Sequence, residues 1–206
     1  MPFTVEQFLD VFKSYNIAVF PIQIVFNLLA LFCMVLVIKK YSFSSKVISG
    51  ILSFLWIWIG IVYHFIFFSS INDAAYFFSV LFIAQSFIFF YAGVYKDYLK
   101  YELSKDWVGF IGGLFIFYAL LLYPLLGYYF GHGYPYQPTF GLPCPTTIFT
   151  LGLLLFTVKK LKWYLILIPV TWSLIGATAA IKLGILEDLG LFISGVTTFS
   201  ILLLKK

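Results

Sequence analysis

Apolar residues dominate seven long stretches of the chain, and short segments with polar residues separate them. These stretches cover residues 17–38, 47–69, 74–95, 107–130, 144–158, 163–182 and 187–204. A helix needs about 20 apolar residues to cross the hydrocarbon core of a bilayer, and most of the stretches approach or reach that length. None shows the strict alternation of a membrane β-strand. The pattern therefore predicts an all-α bundle of seven transmembrane helices in a single domain, residues 1–206.

A different pattern precedes the first stretch. Apolar residues recur there at helical spacing, with charged residues on the opposite face: Val5, Phe8, Leu9 and Phe12 against Glu6, Asp10 and Lys13. Thr4 and Gln7 have the spacing of a capping box, which begins a helix. We expect a short amphipathic helix on the outer surface of the membrane. Its expected role is an interfacial anchor, and a lid over the bundle is the alternative.

Lysines lie in alternate connections between the stretches. The first, third and fifth connections and the C-terminus carry them, as Lys39, Lys40, Lys46, Lys96, Lys100, Lys105, Lys159, Lys160, Lys162, Lys205 and Lys206. The second and fourth connections have none, and Lys182 in the sixth is offset by Glu187 and Asp188. Because lysines are retained on the cytoplasmic side, the N-terminus is predicted outside and the C-terminus in the cytoplasm.

The composition excludes a soluble domain and a nucleic-acid-binding protein. Of the residues, 63% are hydrophobic and 10% charged, with a mean hydropathy of +1.03, whereas soluble domains are about 25% charged. All basic residues are lysines in short clusters, so the formal charge of +5 is a topology signal. The expected partners are the lipid bilayer and an unidentified small molecule, and a homo-oligomer stays open.

Residues 131–147, GHGYPYQPTFGLPCPTT, combine rigid and reactive groups between two apolar stretches. They hold four of the eight prolines, one of two histidines and one of two cysteines. Irregular backbone near membrane depth is tolerated only where protein or a cavity surrounds it, and prolines lower the entropy lost on ordering. We expect this segment to fold inward as an ordered cap over the outer end of the bundle. His132 and Cys144 should then lie near His64.

The predicted topology gathers the ionisable groups of the apolar stretches at the outer face. They are His64, Asp73, His132, Cys144, Glu187 and Asp188. Imidazole, thiolate and carboxylate suit zinc or copper, so His64, His132, Cys144 and Asp73 are candidate metal ligands. Their spacing matches no recognised ligand motif, and the alternative is structural: acids at helix N-termini, an interfacial histidine and a small buried cysteine. No other cofactor is predicted.

Cys144 is also a candidate catalytic nucleophile. At the first turn of a helix the dipole stabilises a thiolate, and His132 is the candidate base. Pro143 and Pro145 on either side would fix the direction of the sulfur. Prolines are also common at helix starts for purely structural reasons, which is the alternative.

Polar side chains inside the stretches form a candidate substrate path. They are Gln23, Asn27, Gln85, Thr146, Thr147, Thr150 and Ser173. Gln23 and Asn27 are four residues apart and share a helix face, and the threonines follow one side of the fifth stretch. The alternative is that these groups hydrogen-bond helices to one another.

Several specific functions do not fit. A retinal protein would carry a lysine in its last span, and a bis-histidine haem would need two facing imidazoles inside the bundle. Seven-span zinc hydrolases use several histidines, and the chain has two. Three classes remain: a permease or channel for a small solute or lipid, a membrane enzyme or metal-handling protein, and a structural subunit of a membrane complex. Without a strong catalytic motif, transport is favoured over an enzyme.

Five segments together resemble one known family. They read MPFTVEQFLDVF, WIGIVYHFIFFSSIN, YALLLYPLLGYYFGHGYP, PTFGLPCPTTIFTLGLLL and EDLGL, and FGLPCPTT is the most specific part. The family is one of bacterial seven-span inner-membrane proteins of unknown function. The resemblance covers nearly the whole chain. It implies a helical membrane fold in the bacterial inner membrane, and it implies no activity or site residues.

Overall fold

The computed structural model describes residues 2–204, without the side chains of residues 179 and 204. The described residues form eight helices: α1 Val5–Val19, α2 Ile22–Lys39, α3 Ser44–Ser70, α4 Ala74–Tyr95, α5 Trp107–Tyr129, α6 Pro143–Leu155, α7 Leu167–Leu183 and α8 Leu189–Leu204. Short 3-10 turns precede the last two, at Trp163–Leu165 and Leu186–Asp188. Within residues 2–204, β-structure is limited to isolated bridges. The prediction of an all-α fold is confirmed.

Five helical segments are long and apolar enough to cross a membrane. They are α2, α3, α4, α5 and the segment Leu186–Leu203, which contains most of α8. The other two apolar helices are shorter, with 13 residues in α6 and 17 in α7. The chain therefore has the helices of a membrane protein, with two of them below the usual spanning length.

The first predicted stretch, residues 17–38, is divided between two helices. Its first residues belong to the end of α1, and α2 begins only at Ile22. Pro21 lies at the break, because proline has no N–H for the helical hydrogen bond and its ring clashes with the carbonyl four residues earlier in a continuous helix. The N-terminal helix is therefore longer than the sequence pattern indicated, and it turns directly into α2.

Helix α6 lies at the centre of the bundle. All its residues except Cys144 are buried, and it packs against α5, α7 and α8. A helix that is apolar on every side is expected to be enclosed by others. Gly112 of α5 and Gly152 of α6 face each other there. A Cβ at either glycine would lie 2.8 Å from the other's carbonyl oxygen, so only small residues allow this approach.

The connections divide into two groups at opposite ends of the bundle. At the lysine end, Lys40 pairs with Glu102 at 2.8 Å, the Val158 amide donates to the Lys100 carbonyl, and the Tyr98 hydroxyl donates to the Lys160 carbonyl. At the capped end lie α1, the loop of residues 130–142 (the loop cap) and the turn before α8. The predicted lysines 205 and 206 lie outside the described residues.

Candidate functional site

Asn16 of α1 holds the loop cap in place. Its side-chain amide donates to the carbonyls of Pro135 and Gln137 at 2.7 and 2.8 Å, and its oxygen accepts from the Thr139 hydroxyl at 2.7 Å. Asn16 is fully buried, and its backbone carbonyl accepts from Gln23. One side chain therefore replaces the backbone partners that this irregular loop lacks.

Two further contacts join α1 to the loop cap. The Tyr15 hydroxyl donates to the Gly141 carbonyl at 3.3 Å, and the Lys13 ammonium donates to the Tyr136 hydroxyl at 3.0 Å. The hydrogen bond to Tyr136 raises the pKa of Lys13. Helix α1 buries one face against the bundle, with Phe8, Val11, Phe12, Tyr15, Asn16 and Val19 inside. Its position fits the alternative role of a lid, because a surface anchor would keep its apolar face in lipid.

A cavity of about 200 Å3 lies beneath α1 and the loop cap. Aromatic side chains form much of its wall: Phe3, Phe8, Phe12, Tyr63, Phe68, Phe78 and Trp172. Cys144 and Asp188 supply polar atoms, and Cys144 is only half-buried because its side chain borders this space. Pro2 and Thr178, which are exposed, also line the cavity, so it reaches the surface at that side.

Two adjacent acids, Glu187 and Asp188, are buried at the start of α8. They are 0% and 2% exposed, although a carboxylate in the interior is costly unless it is hydrogen-bonded. The Tyr123 hydroxyl donates to Oδ1 of Asp188 at 2.5 Å, and the Tyr118 hydroxyl donates to the backbone carbonyl of Glu187 at 2.8 Å. The N-terminus of α8 adds a favourable dipole.

A π-helical turn at Tyr118–Leu122 explains how both tyrosines reach this pair. In a regular α-helix, residues five apart lie on different faces, because 3.6 residues complete a turn. The wider π turn brings Tyr118 and Tyr123 to the same side of α5. Such turns are frequent at functional sites.

Each acid has a further polar neighbour from the predicted set. Nδ1 of His132 lies 3.4 Å from Oε1 of Glu187, with the imidazole side chain 13% exposed. The Cys144 thiol lies close to Asp188 and to the Trp172 indole. Gly127 of α5 gives Glu187 room, because a Cβ there would lie 3.1 Å from Oε1. Of the predicted set, the structure brings His132, Cys144 and the two acids near one another, with the histidine beside Glu187 and the thiol beside Asp188.

His64 lies deeper in the bundle, enclosed by aromatic rings. Its ring centroid is 4.6 Å from that of Phe82 and 5.1 Å from that of Trp172. It is fully buried, and within the described chain neither ring nitrogen has a hydrogen-bond partner. Trp172 lies between His64 and the cavity, since it lines the cavity and contacts the imidazole.

Within residues 2–204, no three His, Cys, Asp or Glu side chains are grouped so that they could hold a metal ion. Asp73 is exposed at the start of α4. His64 is surrounded by rings, and His132 and Cys144 face different acids. A zinc or copper site at these residues stays a prediction, and so does a Cys144 nucleophile with His132 as its base.

Most side chains of the candidate substrate path make hydrogen bonds, some between elements and some within one helix. Gln23 donates to the Asn16 carbonyl, Asn27 to the Gln23 carbonyl and Gln85 to the Leu165 carbonyl. Thr146 accepts from the Gly141 amide, and Thr150 accepts from the Trp56 indole. Thr147 is buried, and Ser173 donates to a carbonyl of its own helix. The cavity wall does not include these side chains. Their role as a path stays a prediction.

Sequence reasoning missed four residues of this region: Asn16, Tyr118, Tyr123 and Trp172. Three are aromatic residues in strongly apolar stretches, where a polar edge is easily overlooked. Asn16 offered a signal, because a polar amide at position 16 follows Phe8, Phe12 and Tyr15 on the apolar face of α1. A buried amide on such a face indicates a specific partner.

Comparison with known proteins places the chain among proteins without an assigned activity. A family model described as "Family of unknown function (DUF6064)" matches residues 5–206. The chain belongs to this family. Neither a curated protein nor a solved structure shows significant similarity. The DUF6064 match thus covers α1, the loop cap and both buried acids, and the function has to be inferred from the site.

Proposed function

We propose that this DUF6064 protein is a seven-span membrane protein of the bacterial inner membrane that binds a small, mainly apolar molecule and moves it across the membrane. The observation that carries the proposal is the cavity of about 200 Å3 beneath α1 and the loop cap, with Asp188 and Cys144 in its wall. A concave apolar site with a few placed polar groups is typical of small-molecule binding.

Seven spans require α6 and α7 to cross the membrane together with the five longer helices. Helix α6 is about 20 Å long at 1.5 Å per residue, below the roughly 30 Å of the hydrocarbon core. Non-helical backbone can complete such a crossing where protein encloses it. Residues 140–142, which lead into α6, are all buried, so they meet this condition.

The lysine end supports the orientation of the proposal. The three lysine-bearing connections contact one another through the ion pair of Lys40 with Glu102 and the backbone bond between Val158 and Lys100. Because lysines are retained in the cytoplasm, the capped end faces outward. The cavity would then receive its ligand from the outside.

The interior below the cavity favours a carrier over an open pore. From Trp172 in the cavity wall, ring contacts continue to Phe82, Trp56 and Phe89 with centroid distances of 5.1, 4.5 and 5.9 Å. This row of aromatic rings fills the route toward the lysine end. Passage of a solute requires the rings to move, as in a protein that alternates between outward and inward states.

Topology is tested with single cysteines in a Cys33→Ala, Cys144→Ala background. Tyr134→Cys in the loop cap and Lys105→Cys at the lysine end are both exposed positions. We expect an impermeant thiol reagent to label Tyr134→Cys in intact cells and Lys105→Cys only in opened membranes. The opposite pattern would reverse the orientation and place the cavity in the cytoplasm.

Binding is tested with the alkylation rate of Cys144 by N-ethylmaleimide in purified Cys33→Ala protein. Ile175 lines the cavity, so Ile175→Trp should fill it and slow alkylation at least tenfold. Leu174→Trp is the matched control, because Leu174 is 49% exposed and is not part of the wall. Equal rates in all three proteins would show that the thiol is not reached through this cavity.

A further inference from the structure

The cavity wall combines aromatic faces with a carboxylate, and this combination has a specific chemistry. Aromatic rings carry negative charge on their faces and attract organic cations, most strongly where water is excluded. Six rings of the wall come from four parts of the chain and surround the same space: Phe8, Phe12, Tyr63, Phe68, Phe78 and Trp172. Phe8 packs edge to face against Phe12 and Phe68, and Phe78 packs edge to face against Trp172, so the wall contains two packed groups of rings.

Asp188 adds a carboxyl group to the wall, and among the wall residues that the structure describes no positively charged side chain accompanies it. The Tyr123 hydroxyl donates to it and the Cys144 thiol lies close by, and both groups are neutral. Glu187 beside it has the imidazole of His132 as its polar neighbour. Among the described residues that line the cavity, none is a lysine, and the chain has no arginine. A buried carboxylate in this position gains from a cation supplied by a ligand.

A second polar group in the wall, the indole N–H of Trp172, has no hydrogen-bond acceptor among the described residues. Trp172 is 8% exposed and lines the cavity, and Nε1 of its indole makes no hydrogen bond within the described chain. A buried indole N–H normally finds an acceptor. The donor is therefore available to a ligand oxygen in the space that Asp188 also borders.

We infer that the ligand of this cavity is a small organic ammonium ion, alkylated on nitrogen and carrying an oxygen acceptor. The inference rests on the proposed function and specifies its ligand class. The positive nitrogen lies between the aromatic rings and Asp188, and the oxygen accepts from Trp172. The cavity has a suitable size for such an ion. A sphere of 200 Å3 is about 7 Å across, so a cation inside it lies within the roughly 6 Å of a ring centroid over which cation–π attraction acts.

Two probes of the same shape distinguish the effect of a positive charge on binding from the effect of molecular shape. Choline and 3,3-dimethyl-1-butanol differ in having a quaternary nitrogen or a neutral carbon at the same position. Calorimetry in detergent or nanodiscs should show that wild-type protein binds choline at least tenfold more tightly than the neutral alcohol. In Asp188→Asn this preference should disappear while binding of the alcohol persists, and the control Glu6→Gln, at an exposed acid outside the cavity wall, should behave as wild type.

A variant in the aromatic wall of the cavity keeps the inference testable if Asp188→Asn does not fold. Trp172→Leu removes one ring and the indole donor. It should weaken the binding of choline at least fivefold and the binding of the alcohol much less. Equal affinity of wild type for both probes would overturn the ammonium assignment and leave the proposed function standing if Ile175→Trp still protects Cys144 from alkylation. Failure of both probes to bind, together with unchanged alkylation in Ile175→Trp, would remove the binding site itself.

Discussion

The two ends of the bundle differ in whether their ionisable side chains are exposed or buried. At the lysine end, Lys40 and Glu102 form an ion pair in which 49% and 52% of the side chains are exposed. At the capped end, Glu187 and Asp188 are buried among a histidine, a thiol and tyrosine hydroxyls. An exposed pair contributes little to stability, whereas a buried carboxylate is costly unless it is hydrogen-bonded. Within the described chain Asp188 has the Tyr123 donor, while the side-chain oxygens of Glu187 make no hydrogen bond. Ionisable groups inside a membrane bundle are often functional, and we therefore propose that the capped end is the functional end.

Among the substitutions that test this contrast between the two ends, replacement of Asn16 should have the largest effect on stability, because Asn16 holds the loop cap. Asn16→Leu removes three hydrogen bonds to the loop cap and leaves the Pro135 and Gln137 carbonyls without that partner. We expect a loss of about 3 kcal/mol in the free energy of unfolding, since each buried unpaired group costs about 1–3 kcal/mol. Thermal unfolding in detergent and protease sensitivity of residues 131–142 measure it.

Asn27→Leu is the matched control for that change. Asn27 makes one hydrogen bond, to the Gln23 carbonyl one turn earlier in its own helix. Its replacement should cost less than about 1 kcal/mol and leave the loop cap resistant to protease. If both variants lose the same stability, the loop cap is not held by Asn16.

Tyr123→Phe should have the second largest effect, because it removes the hydroxyl that donates to Asp188. Hydrogen bonds to charged groups contribute about 1.5–3 kcal/mol, so we expect a loss of about 2 kcal/mol. Tyr129→Phe provides the control, since Tyr129 is 82% exposed and should be neutral. A loss below about 0.5 kcal/mol in Tyr123→Phe would mean that Asp188 does not depend on this donor.

Breaking the ion pair at the lysine end should have a small effect. Lys40→Met removes one partner of an exposed pair, and such pairs contribute about 0.2–1 kcal/mol. Unfolding in low and high salt should show a change of less than about 0.5 kcal/mol that salt reduces further. A loss as large as that of Tyr123→Phe would contradict the contrast between the two ends.

The smallest effect concerns Asp97, whose carboxylate lies 2.7 Å from the Lys100 ammonium. A hydrogen bond from Lys100 lowers the pKa of Asp97 below its usual value of 3.8. The pair therefore contributes stability above that pH and loses it as the pH falls through the lowered pKa. Wild type and Asp97→Asn should differ slightly at pH 7 and converge as the pH falls below the lowered pKa of Asp97. If the stability difference between the two proteins increased as the pH fell, it would contradict a lowered pKa of Asp97.

The sequence predicted the positions of the apolar helices well. The third stretch was expected at residues 74–95 and α4 covers Ala74–Tyr95, while the fourth was expected at residues 107–130 and α5 covers Trp107–Tyr129. Long apolar runs bounded by polar residues carry this information directly. The break at Pro21 was missed because residues 17–19 are as apolar as those of α2, so hydropathy alone shows no boundary.

The site could be predicted only in part. His132, Cys144, Glu187 and Asp188 were selected because ionisable groups in apolar stretches are rare, and the structure brings them together in two pairs. The pairing itself depends on contacts such as Tyr123 with Asp188, which are 65 residues apart, and Asn16 with Pro135, which are 119 apart. No periodicity along the chain encodes such contacts. The π turn that aligns Tyr118 with Tyr123 likewise has no sequence signature.

The central claim is that a cavity open to the outside, bordered by Asp188, receives a small ligand. Its most direct test is the reaction of Cys144 in intact cells that produce Cys33→Ala protein. Two impermeant methanethiosulfonate reagents are compared, one with a trimethylammonium group and one with a sulfonate. We expect the cationic reagent to modify Cys144 at least tenfold faster, and we expect Ile175→Trp to block both. Equal rates in the presence and absence of Ile175→Trp, or reaction only in inside-out vesicles, would contradict the account.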